Sequence, residues 1–248
     1  MNNMIAKTKI DWCDYVWNPV WGCLTGCDYC YARRFAKRFW KQMYIRELAF
    51  QMKLENEPVR KSLAEFKPVF LESNFNKKFS RKPSRIFVNS MSDIYWWEEK
   101  WMKIVLQKIQ EYPQHSFLFL TKFPVVYSRY EFPANCWLGV TVDLPPFTAY
   151  KMWELASIPT NNIRFICFEP LRGVPITIPA EIDWIIIGAQ TNPYFPPPKE
   201  WVENIVEIAK SKNIPVFIKN NINRAYPDLI IKEFPDSSKC RNQKEIQL

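Results

Sequence analysis

The chain has 248 residues, 48% of them hydrophobic, and carries 34 Lys+Arg against 25 Asp+Glu for a formal charge of +9. That is enough to bury a real core, with one domain over 1–248 as the default. No run approaches about eighteen apolar residues and the opening MNNMIAKTKIDW has no secretory apolar segment, so a membrane partner is excluded and the expected location is the cytoplasm.

Cys13 comes first, followed by Cys23, Cys27 and Cys30 within eight residues, a crowding unlike a disulfide framework. A helix is predicted from Tyr31 to about Leu54, opening on the richest basic stretch, Arg33, Arg34, Lys37, Arg38 and Lys41. The segment around 55–83 breaks the pattern and reads as an irregular excursion, with Lys67, Lys77, Lys78, Arg81 and Lys82 among Phe66, Phe70, Phe75 and Phe79. Such a mixture suits either a packed surface loop or contact with a nucleic-acid strand.

From there, short charge-free runs alternate with helix-length segments. The runs are Ile86–Val88, Phe117–Leu120, Trp137–Val140, Phe165–Phe168, Trp184–Ile187 and Pro215–Ile218; the helices lie over Trp97–Glu111, Tyr150–Ser157 and Trp201–Lys212. Continuous apolar strands alternating with amphipathic helices predict an α/β fold with a parallel sheet, a partial or closed parallel (β/α) barrel. Polar groups follow the strands: Asn89, Ser90, Ser92 and Asp93; Thr121 and Lys122; Thr141 and Asp143; Glu169 and Arg172; Gln190; Lys219, Asn220 and Asn221. In parallel folds the carboxyl ends of strands surround the ligand site, although strand ends also turn polar simply because chains turn there.

The motif Cys23-Leu24-Thr25-Gly26-Cys27-Asp28-Tyr29-Cys30 is a CxxxCxxC spacing. Three thiolates on a cubane leave one iron open to an outside ligand, whereas four would close it. Zinc is the competing metal, with Cys13 or His115 as a fourth ligand in a nucleic-acid-binding protein without catalysis. The spacing lacks the second CxxC of most zinc ribbons. The positive charge draws polyanions, so nucleic acid is a candidate partner; a solvated basic surface is the plainer account.

CLTGCDYC resembles the radical S-adenosylmethionine (SAM) superfamily signature, with Tyr29 at its aromatic position. WNPVWGC, RIFVNSMSDIY, LTKFP, CWLGVTVD, RFICFEPLRG, WIIIGAQ and PVFIKN are similar to a phage-associated branch known by its three-Cys motif. The resemblance implies a barrel of the radical SAM type. It also implies a 4Fe-4S cluster on Cys23, Cys27 and Cys30, bound SAM, an external electron donor, and reductive SAM cleavage to a 5′-deoxyadenosyl radical that attacks a substrate, a nucleic-acid base or nucleotide among the candidates.

It further places Asn89, Ser90, Ser92 and Asp93 at the methionine end of SAM, with Thr141, Gln190 and Lys219 as further cofactor contacts. Lys122, Glu169 and Arg172 are the catalytic candidates; the competing reading pairs Glu169 and Arg172 with each other or with Lys219 as structural ions. Where relatives carry a Gly-Gly-Glu-like segment, this chain reads Gly188-Ala189-Gln190-Thr191. A cluster retained for binding or electron transfer alone is a third reading.

Overall fold

Runs without charge become strands and the amphipathic stretches between them become helices, because only that arrangement buries both faces of the runs. The computed structural model describes residues 4–145 and 147–236, so Cys240 lies outside the described residues. It divides into two compact units, Met1–Phe119 and Leu120–Leu248.

The first unit opens with β1 (Ala6–Lys7), β2 (Tyr15–Val16) and β3 (Val20–Trp21), followed by α1 (Tyr31–Gln51), α2 (Glu57–Glu65), β4 (Val69–Phe70) and α3 (Glu72–Phe75). Then come β5 (Arg85–Phe87), α4 (Glu99–Gln110) and β6 (Ser116–Thr121), along which the chain passes into the second unit. Its sheet order is β1-β2-β5-β6, antiparallel only at the β1–β2 edge. The second unit holds β7 (Cys136–Thr141), α5 (Tyr150–Ala156), β8 (Ile163–Phe168), β9 (Trp184–Ile187), β10 (Gln190–Thr191), β11 (Tyr194–Phe195), α6 (Lys199–Ser211), β12 (Val216–Ile218) and α7 (Asn220–Asn223). Here β7-β8-β9-β12 are parallel throughout. The class is mixed α/β with a mostly parallel sheet, as the alternation predicts, and all six expected strands are present.

The segment 55–83 carries elements of its own. Asn56 caps α2, the αL residue Phe66 ends it, and β4 pairs antiparallel with β3. Phe66, Leu71 and Phe79 are buried, so two of the aromatics read as surface candidates are core. What orders the segment is a charge far off in sequence. Glu47, buried on α1, accepts the backbone N–H groups of Glu72 (2.8 Å) and Ser73 (3.0 Å), satisfying the open donors of α3. On α4, Lys108 lies over the rings of Phe75 (4.5 Å), Phe79 (5.4 Å) and Trp17 (5.5 Å), and its burial lowers its pKa.

His115 occupies the turn before β6, as expected, but is buried among Phe79, Tyr112 and Phe117 at 6.0–6.3 Å between ring centroids. Burial pushes its imidazole below the ordinary 6.5. The unfolded chain therefore binds a proton that the folded one resists, so this contribution to stability is full above about pH 6.5 and is lost as pH falls below it. Thermal melts of His115→Phe should show a smaller loss of Tm between pH 8 and pH 5.5 than the parent; equal losses would show that His115 is protonated without penalty.

Candidate functional site

The cysteine loop joins β3 to α1. Gly22 begins it at φ +98°, a conformation open to glycine, and a Cβ there would lie 2.1 Å from the Lys67 carbonyl oxygen. That close approach lets the Gly22 N–H donate to Met91 O (3.1 Å) and the Cys23 N–H donate to Phe66 O (3.0 Å), fixing the loop on both sides. Arg33 reaches back from α1 to donate to Cys23 O (3.1 Å), its guanidinium over the Phe66 ring at 5.1 Å. The last cysteine starts the helix: Cys30 is the N-cap of α1 and its sulfur accepts the Arg33 N–H at 3.3 Å.

Six cysteines among the described residues are free thiols, and they fall into two classes. Cys13, Cys136 and Cys167 are buried, whereas Cys23, Cys27 and Cys30 are all partly exposed on one loop. Cys23 exchanges local bonds with Thr25 (3.2 and 3.4 Å), and burial raises its pKa, with the charges of Asp93 and Cys27 adding to the rise. Trp96 holds Thr25 in turn, donating from Nε1 at 2.9 Å. No three Cys, His, Asp or Glu side chains are gathered into a ready metal group among the described residues. The donor set nonetheless fits a thiolate-bound iron–sulfur cluster: three partly exposed cysteines on one loop, of which Cys23 and Cys30 bond through sulfur only to near neighbours in sequence.

The fourth ligands considered for zinc do not fit. His115 is enclosed by aromatic rings, and Cys13 is buried with its thiol directed to Ile10 O at 3.9 Å.

The polar residues after β5 sit beside this loop, joined to it by the parallel bridge Gly22–Ser92. Each of the four expected there has an intramolecular partner. Asn89 donates to Ser92 O (3.3 Å), Ser90 exchanges hydrogen bonds with Asn18 (3.0 and 3.1 Å), Ser92 Oγ accepts from Trp97 Nε1 (3.0 Å), and Asp93 caps the 3-10 turn Ile94–Trp96 through the Tyr95 N–H (3.0 Å). Asn18 also accepts the Met91 N–H (3.0 Å), and the Tyr31 hydroxyl donates to Ser90 O (2.6 Å). Asn18, Tyr31 and Thr25 were missed as site residues, although Asn18 lies inside the quoted WNPVWGC and Thr25 inside the cysteine motif itself. Trp12, Trp17, Trp21 and Trp97 are buried core.

In the second unit the remaining candidates follow the parallel strands. Lys122, after β6, pairs with Asp143, after β7, at 2.8 Å with little exposure of either. Glu169, after β8, pairs with Lys219, after β12. Gly188 makes room for that pair, since a Cβ there would come within 2.9 Å of both side chains. Cys167 directs its thiol at Glu169 (3.9 Å), and burial, reinforced by that carboxylate, pushes the thiol well above its usual range. Thr141 is buried at the end of β7.

Arg172 is bonded to the residue that begins β10. Its Nη2 donates to Gln190 Oε1 at 2.7 Å, while Gln190 Nε2 donates to Pro193 O at 3.2 Å. An ionised glutamate at 190 accepts the first bond but cannot donate the second, which gives the amide a reason in this chain.

Removing one partner of the Glu169–Lys219 pair leaves a partly buried charge beside the apolar Cys167 thiol. Lys219→Met should therefore cost about 3 kcal/mol in urea unfolding, and the Glu169→Gln, Lys219→Met double variant should cost less than Lys219→Met alone. A double variant whose loss equals the sum of the singles would mean that the two groups are not coupled.

Among curated proteins, none matches this chain. A solved structure of a spore photoproduct lyase double mutant with bound AdoMet and dinucleoside spore photoproduct is similar at a TM-score of 0.44 and 11% identity, over 91% of this chain. The chain spans 64% of that structure's length. A family model described as protein of unknown function (DUF5131) matches residues 7–228, nearly the whole sequence, and the chain belongs to that family.

Proposed function

We propose that the chain is a radical SAM enzyme in which Cys23, Cys27 and Cys30 hold a 4Fe-4S cluster. The observation that carries this reading is the separation of the thiols: the three of the CxxxCxxC loop are partly exposed together, while Cys13, Cys136 and Cys167 are buried. When bound, such a cluster supplies the electron that splits the sulfonium bond of SAM. Gly22 and Arg33 hold the loop backbone, and Thr25, fixed by Trp96, orients the Cys23 sulfur that would ligate the cluster.

The segment around Asn89, Ser90, Ser92 and Asp93 is the proposed support for the amino-acid end of SAM, since hydrogen bonds made by each of these side chains order it beside the cysteines. Thr141, Gln190 and Lys219 complete the proposed cofactor contacts. Lys122, Glu169 and Arg172 are proposed for contacts with the substrate, a nucleic-acid base or nucleotide, and an external protein or small-molecule donor supplies the electron.

Anaerobic reconstitution should give brown protein with about four irons per chain that releases 5′-deoxyadenosine from SAM when reduced. Cys27→Ala should lose most of the iron and the product together. Colourless protein, or one zinc per chain with no SAM cleavage, would overturn the reading.

A further inference from the structure

The helix that starts on Cys30 carries an unbalanced charge. Arg34, Lys37, Arg38 and Lys41 are all exposed, fall within about 10 Å of helix axis, and make no ion pair among the described residues. The acidic residue of α1 is Glu47, buried and committed to the N–H groups of Glu72 and Ser73. Other helices carry at least one matched cation: Arg60 with Glu57 on α2 (2.5 Å), Lys103 with Glu99 on α4 (2.6 Å), Lys199 with Glu203 on α6 (3.5 Å). Like charges one turn apart repel, and on α1 no carboxylate offsets them.

Aromatic rings are interleaved with these cations. Tyr31 is 48% exposed and Phe35 46%. Both rings are held in place, Tyr31 through its hydroxyl on Ser90 O (2.6 Å) and Phe35 against Phe39 (4.5 Å) and Trp21 (6.1 Å). The outer cations lean on rings of their own, Arg38 over Phe39 at 5.2 Å and Lys41 over Trp40 at 5.8 Å. Fixed aromatic faces between unpaired cations match a strand that alternates phosphates with bases free to stack. A duplex keeps its base faces covered, whereas a single strand leaves them free to stack.

We propose that the outer face of α1 binds single-stranded nucleic acid, its phosphates on Arg34, Lys37, Arg38 and Lys41 and its bases on Tyr31 and Phe35. This deepens the reading above by naming the substrate class, and rests on that reading for what the strand is bound for. Because the platform begins one residue after Cys30, a bound strand lies next to the cysteine loop.

The test is fluorescence anisotropy of the full chain with a labelled 20-nucleotide oligothymidylate across a salt series. A logarithmic salt slope of about −3 is expected from four phosphate contacts. Replacing Arg34, Lys37, Arg38 and Lys41 by Gln should weaken binding more than about tenfold and flatten the slope to near zero. Phe35→Ala should weaken it about tenfold with the slope unchanged. Lys100→Gln with Lys103→Gln, on α4, should change it less than about twofold.

A parent slope shallower than about −1 overturns the proposal, as does a four-fold Gln variant no weaker than the α4 control. So do tighter binding to duplex, an inert Phe35→Ala, or capture by phosphatidylserine vesicles in place of the oligonucleotide. Anisotropy is read without SAM turnover, so its failure leaves the 5′-deoxyadenosine result standing, and failure of SAM cleavage leaves the binding result standing.

Discussion

A single close approach of two backbones sets the cysteine loop. Because Gly22 has no side chain, the loop comes close enough to Lys67 for the Gly22 and Cys23 N–H groups to reach Met91 and Phe66. Those two bonds tie the segment before the first cysteine to the end of α2 and to the turn after β5. From there the chain needs one short loop to reach Cys30, which ends it by capping α1. Three thiols are thereby confined to a loop whose two ends are fixed, while the sulfurs of Cys23 and Cys30 bond to near neighbours in sequence, Thr25 and the Arg33 N–H. A rigid frame with loosely held ligands is what a site assembled around a metal group requires.

The same economy governs the surroundings. Glu47 orders the segment after α2 from the buried side of α1, and Asn18 holds the backbone at Ser90 and Met91 from the end of β2. In each case one side chain satisfies two groups of a distant segment, adding to the little strand pairing that the segment has. In the second unit, ion pairs do this work at the strand ends, and Gly188 leaves the space that the Glu169–Lys219 pair fills. The outer face of α1 stands apart because four cations cluster there with no ion pair among the described residues.

Much of this was legible in the residues. The six strands were, because each is a charge-free run bounded by polar groups, and so was the start of α1 after the last cysteine. The cysteine set stood out by spacing. The order within 55–83 was not legible, since its lysines and aromatics give no clean period and its shape depends on Glu47, some 25 residues earlier. Nor could spacing show that Lys122 pairs with Asp143, 21 positions on, or Glu169 with Lys219, 50 positions on. Strand-end position indicated which residues are polar, but partner choice depends on which strands are neighbours. In the loop after β5, strand-end position could not show the internal partners either: Asn89 and Asp93 bond to backbone nearby, Ser90 to the Asn18 side chain and Ser92 to that of Trp97.

The central claim is that the thiols of Cys23, Cys27 and Cys30 hold a cluster with one iron open to SAM. Electron paramagnetic resonance of the anaerobically reconstituted, dithionite-reduced protein tests it most directly. A reduced-cluster signal that changes shape when SAM is added, and is absent from the Cys27→Ala protein, is the predicted result. A signal indifferent to SAM, or one that survives loss of Cys27, would contradict it.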